Sequence, residues 1–108
     1  MMAQALLACA LVAIDGDTLR CGRERIRLLG IDAPELPGHC RRGRRCVEGD
    51  PVASKAALAA AIARGPATIE RRGRDHYGRT LARIRVNGVD LSAHMVRTGM
   101  AVRVARWE

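Results

Sequence analysis

Three polar clusters carry the groups capable of chemistry: D-G-D-T at 15–18, L-L-G-I-D-A-P-E at 28–35 and D-H-Y-G-R at 75–79. In the second, Asp32 and Glu35 end an apolar run inside a strongly basic chain. Carboxylate and carbonyl oxygens are the ligands a hard cation such as calcium takes, and a site with few protein ligands leaves room for water and phosphate. Arg27 precedes Asp32 on the same strand, and Arg79 stands on a separate loop, so two guanidinium forks can clamp one phosphate from two sides. Attack on a phosphodiester adds negative charge to its equatorial oxygens, and preorganised cations there favour the transition state over the ground state. Taken singly, each cluster also has a plainer reading. D-G is a hairpin turn, D-x-P-E a turn or helix cap, and Y-G-R a turn followed by a solvated arginine.

The elements that must position these groups follow from the apolar pattern. Residues 6–14 and 18–21 read as two strands joined at Asp15-Gly16, a strong hairpin signal. Residues 25–31 alternate and then turn fully apolar, as a strand does on entering a core. From Pro37 to Gly49 the chain is loop-like and holds the basic run C-R-R-G-R-R-C. Asp50 caps a helix with Pro51 in its first position, and the Ala-rich stretch runs to Arg64 before Gly65 and Pro66 stop it. Strands follow at 67–71 and 80–86, then a turn at Asn87-Gly88, a helix over Leu91–Thr98 capped by Asp90, and a last strand at 101–104. Three strands, a helix, two strands, a short helix and a short strand suit a mainly β, α+β fold: a small, partly closed, five-stranded OB-fold barrel with two helices, an architecture that binds oligonucleotides.

The 108 residues make one domain, 1–108, whose core is aliphatic because the chain has no Phe and only Tyr77 and Trp107 as aromatics. Lys and Arg number 19 against 11 Asp and Glu, a net charge of +8 that points to a polyanion such as DNA or RNA. The alternative is a solvated surface that keeps the protein soluble. Cysteines at 9, 21, 40 and 46 include no C-x-x-C pair, which excludes zinc-ribbon and thioredoxin-type spacings. His39 with Cys40 and Cys46 lacks a fourth metal ligand at a convincing spacing. Two disulfides allow three connectivities, and Cys9–Cys21 with Cys40–Cys46 keeps both local in sequence. Such bridges point to a secreted or periplasmic protein. The N-terminal apolar stretch has no basic flank and reads as a strand, not as a signal peptide or a membrane span, so an export signal is expected to lie outside this chain.

Four motifs in order resemble the staphylococcal-nuclease-like, or thermonuclease, domains: I-D-G-D-T at 14–18, R-L-L-G-I-D-A-P-E at 27–35, D-H-Y-G-R at 75–79 and V-R-T-G-M-A at 96–101. The resemblance covers nearly the whole chain, and the combination is far more specific than any one motif. It implies a monomeric, calcium-dependent nuclease that hydrolyses DNA and RNA to 3′-phosphates. Asp17, Asp32 and the Ala33 carbonyl would hold one calcium ion. Glu35 would act as base or water-positioner, Arg27 and Arg79 would bind the phosphate, and Tyr77 would lie near the nucleotide.

Some positions depart from the family pattern. Ala33 stands where the best-known members have threonine, keeping the carbonyl without the hydroxyl. Trp107 takes the place of one ligand-side tyrosine and Ala105 of another, so base stacking is expected to be rearranged. The chain stops where a C-terminal helix usually follows, and its disulfides are expected to offset part of that loss. The bridged, arginine-rich loop is expected to be stiffened by its disulfide and to add phosphate contacts; a merely solvated loop is the plainer alternative. Two rivals remain: a non-catalytic nucleic-acid- or protein-binding OB-fold module, and a truncated fragment whose charge is incidental. No His–Asn–His pattern supports a histidine-metal nuclease.

Overall fold

The structure, a computed structural model, describes residues 9–108. Strands β1 (Leu11–Asp15), β2 (Thr18–Cys21) and β3 (Glu24–Leu28) form an antiparallel meander. A short β4 (Ile31–Asp32) and a long loop lead to α1 (Pro51–Ile62), then β5 (Ala67–Arg74), β6 (Thr80–Val86) and a short β7 (Val89–Asp90). Helix α2 (Leu91–Arg97), β8 (Val102–Arg103) and a 3-10 turn at Ala105–Trp107 complete the chain. The main sheet runs β1-β2-β3-β6-β5, with β7 paired to β6, and β3 lies parallel to β6. This is the α+β, OB-like architecture expected from the sequence. The main sheet does not close among the described residues, in keeping with the partly closed barrel expected from the element order. Part of the first expected strand, residues 6–8, lies outside the described residues.

Local chemistry accounts for the elements. Asp50 accepts hydrogen bonds from the Val52 and Ala53 amides (3.0 and 3.1 Å), satisfying two donors at the start of α1. Ser54, Leu58 and Ala61 form its buried face. In β6 the alternate residues Thr80, Ala82, Ile84 and Val86 point inward. The core is aliphatic, with Leu19, Ile26, Leu28, Ile31, Leu58, Ile84, Leu91 and Met95 at most 1% exposed. Two buried hydroxyls pin loops onto it: Ser54 Oγ donates to the Met100 carbonyl and Ser92 Oγ to the Leu29 carbonyl, both at 2.7 Å.

Several boundaries differ from expectation for identifiable reasons. The third strand stops at Leu28 because Gly30 adopts φ +82°, a left-handed conformation that redirects Ile31 and Asp32 to pair with Val102 and Arg103. The fifth strand runs three residues past the expected end, through a bulge between Arg71 and Gly73, where Gly73 has φ +143°. Helix α1 ends two residues early and the last strand is shorter than expected.

One surface pair ties the sheet together and makes stability pH-dependent. Arg71 donates to both Glu24 oxygens (2.8 and 2.7 Å), and Thr80 Oγ1 adds a third bond at 2.7 Å. Chiefly through the Arg71 hydrogen bonds, the Glu24 carboxyl is lowered to about 2. Its contribution is therefore complete above the ordinary glutamate pKa and is lost as pH falls from there toward 2. Because Arg71 is well exposed, solvent screening reduces the effect to about 1 kcal/mol. Thermal melts should show Glu24→Gln less stable than the parent at pH 7 and level with it near pH 2; an equal deficit at both would contradict the assignment.

Candidate active site

Six segments converge at one end of the sheet. The β1–β2 turn brings Asp15 and Asp17, β3 brings Arg27, β4 and its exit bring Asp32, Ala33 and Glu35, and the loop after it brings His39, Arg41 and Arg44. The β5–β6 loop brings Asp75, Tyr77 and Arg79, and the C-terminal turn brings Trp107. The tight β1–β2 turn requires glycine at 16, because a Cβ there would fall 1.8 Å from Ser54 Oγ and 2.9 Å from Ala33 Cβ.

Asp17 is 1% exposed, and each of its oxygens accepts a hydrogen bond. Its Oδ1 accepts from Thr18 Oγ1 at 2.9 Å, and its Oδ2 accepts from the Ala33 amide at 2.8 Å. One atom, Arg27 Nη2, lies 3.4 Å from Asp17 and 3.5 Å from Asp32, so a single positive centre already bridges the two carboxylates. Arg27 Nη1 donates to the Leu28 and Ile31 carbonyls at 2.8 Å each, fixing the guanidinium in its buried place. A buried charge held this way requires all of its partners.

Arg44 completes the cluster. Its Nη2 donates to both Asp32 oxygens (3.0 and 2.9 Å), while Nη1 donates to Glu35 Oε1 at 2.8 Å. Burial pushes the Asp32 and Glu35 carboxyls above their usual range against the pull of Arg44, and the Asp17 charge raises both further. Crowded carboxylates that resist ionising together form a seat for positive charge.

Across the cleft, Asp75 organises the second arginine. It accepts from the Tyr77 and Arg79 amides (3.0 and 2.9 Å) and from Arg79 Nε at 2.7 Å. Burial raises the Asp75 carboxyl, but the bonds from Arg79 outweigh it and leave the group below its usual range. With Nε so held, the outer face of the Arg79 fork is presented to a cavity of about 510 Å³ lined also by Arg27, Arg44, Tyr77, Leu81 and Trp107. Arg41 stacks on the Tyr77 ring at 3.4 Å, and Arg27 lies 5.2 Å from the Trp107 ring centroid.

The structure thus brings Asp17, Arg27, Asp32, Ala33 and Glu35 into one cluster, with Arg79, Tyr77 and Trp107 around the adjoining cavity. Both disulfides pair as expected, Cys9–Cys21 (Cα–Cα 5.2 Å) and Cys40–Cys46 (6.2 Å). Two such bridges fit a non-cytoplasmic environment. The bridge removes the thiolates that Cys40 and Cys46 would need to bind a metal beside Glu35, and His39 Nδ1 is taken by Asp15 at 2.9 Å. Among the described residues, no helix is long and apolar enough to cross a membrane.

The sequence reading missed the Asp15–His39 pair, the Asp75 scaffold and the seat taken by Arg44. For Asp75, its place at the head of a D-x-Y-G-R turn was an available signal, since Asp side chains bond the backbone two residues on. Arg44 was one of four similar arginines in its loop, and nothing in the sequence singled it out.

Residues 25–108 match a family model described as "Staphylococcal nuclease homologue". The chain is also 37% identical over 94 residues to the succinoglycan biosynthesis protein ExoI of Rhizobium meliloti (strain 1021). That match covers 82% of this chain and 48% of the relative, so the chain spans about half the relative's length.

Proposed function

The chain belongs to the family of staphylococcal nuclease homologues, and from that premise we propose that it is a calcium-dependent phosphodiesterase that cleaves DNA, RNA or both to give 3′-phosphate ends. The observation that carries this reading is the interlocked cluster of Asp17, Asp32 and Glu35 with Arg27, set beside a cavity that Arg79 also lines.

The donor set fits a calcium ion. Asp17, Asp32 and the Ala33 carbonyl offer hard oxygens only, and the two carboxylates stand close enough together that a single atom, Arg27 Nη2, lies 3.4 and 3.5 Å from them. When bound, calcium supplies Lewis acidity that polarises a phosphoryl oxygen. The remaining work falls to side chains. Arg27 and Arg79 hold the phosphate and meet the charge that develops on its oxygens. Glu35 orients the attacking water or takes its proton. Tyr77 and Trp107 flank the cavity as surfaces for a base. The net charge of +8 favours encounter with a polyanion. The two disulfides support an exported, secreted or periplasmic protein; its proposed working state is the monomer.

Cleavage of a defined oligonucleotide, with product ends identified by mass, tests this reading: 3′-phosphate termini support it and 3′-hydroxyl termini contradict it. One observation favours a second reading, a non-catalytic nucleic-acid- or protein-binding module: guanidinium groups engage both Asp32 oxygens. Salt-dependent retention of the oligonucleotide without cleavage would mark that outcome.

A further inference from the structure

The cationic seat beside Glu35 is filled by the protein itself. Arg44 spreads its planar fork over two carboxylates at once, with three hydrogen bonds between 2.8 and 3.0 Å. Such bidentate, charge-assisted contacts are the strongest a side chain makes with a carboxylate. The Asp32 and Glu35 side chains are 10% and 9% exposed, whereas that of Arg44 is 29% exposed, so the guanidinium caps them from the solvent side. An ion approaching Asp32 from solvent meets Arg44 first.

Charge balance within five of these groups points the same way. The carboxylates of Asp17, Asp32 and Glu35 face the guanidiniums of Arg27 and Arg44, leaving one net negative charge. A divalent ion that replaces Arg44 leaves this cluster neutral, whereas one added beside it leaves the cluster positive. Asp15 adds further negative charge near Glu35, so exchange over co-occupancy rests on geometry: Arg44 already holds both Asp32 oxygens that an ion would need.

The loop holds the cap in reach. Cys40 and Cys46 close it covalently, the Arg44 amide donates to the Arg41 carbonyl at 3.0 Å, and Gly43 turns the chain at φ +81°. Stacking of Arg41 on Tyr77 anchors the loop to the far wall of the cavity. A tethered cation competes at an effective concentration set by its tether.

We infer that Arg44 is an internal counter-cation that competes with calcium for Asp32, tethered for that purpose by the Cys40–Cys46 bridge. The inference rests on the calcium reading above. Occupancy of the seat by Arg44 lowers the apparent calcium affinity by the fraction of molecules in which the seat is open.

Calorimetric titration with calcium of the intact protein, Arg44→Gln and the Cys40→Ser/Cys46→Ser double variant tests it, with thermal melts confirming that each is folded. Arg44→Gln is expected to bind calcium about tenfold more tightly, equivalent to ~1.4 kcal/mol. The double variant keeps the charge but frees the loop, and should tighten binding by a smaller factor. Calcium binding by all three with equal affinity, or weaker binding by Arg44→Gln, overturns the inference and leaves the metal site standing. Tightening by Arg44→Gln alone overturns the tether. Absence of calcium binding in every variant overturns both the inference and the calcium reading beneath it.

Discussion

Glu35→Gln is expected to lower phosphodiester turnover by roughly 10²–10⁴-fold, the range general base catalysis contributes, with little change in melting temperature. Glutamine keeps an oxygen to accept the Arg44 bond now made to Glu35 Oε1, so the loop retains its anchor. What it loses is basicity, which burial raises in the parent carboxyl. The loss should fall on kcat, with KM nearly unchanged, because Glu35 acts on the water and does not grip the phosphate. Steady-state kinetics on a short oligonucleotide reads both constants. A variant within a few-fold of the parent would remove Glu35 from the reaction.

Arg79→Ala should be nearly as damaging, about 10²–10³-fold in turnover, the cost of removing one preorganised donor from a developing negative charge. Its preorganisation is visible in the structure: Asp75 holds Nε at 2.7 Å and the loop amides of Tyr77 and Arg79 in the same carboxylate. The fork is therefore aimed before substrate arrives. Arg79 sits on a loop and is partly exposed, so its loss should leave the fold intact. Arg79→Lys keeps the charge without the bidentate fork, and only partial recovery is expected. Full recovery by lysine would show that charge alone suffices there.

Much of this architecture was legible in the residues. Asp50-Pro51 and Asp90 marked the two helix starts, Gly65 and Gly99 their ends, and Asn87-Gly88 a turn, because capping and turn chemistry are local. Asp17, Arg27 and Asp32 were readable as a group since a hairpin and the short run from Arg27 to Asp32 place them, and the structure joins them through Arg27 Nη2. The break after Leu28 was harder. An apolar run through Gly30 fits one strand, and only pairing with distant Val102 and Arg103 shows where the chain turns. The short β7 and the extension of β5 pair with nearby β6 in local hairpins, but exposed and mostly polar residues left no apolar alternation to mark them. The partly closed barrel was legible in the element order, since a helix inserted after three strands suits that fold. Arg44 lay beyond local reading altogether, as its role comes from the fold of a bridged loop over two carboxylates.

Calcium dependence of the hydrolysis is read from one time course. Plasmid DNA and RNA are incubated with the protein in calcium, then after chelation, then with calcium restored. Cleavage with calcium, arrest on chelation and recovery when the ion returns are expected. Cleavage that continues undiminished in chelator would contradict it.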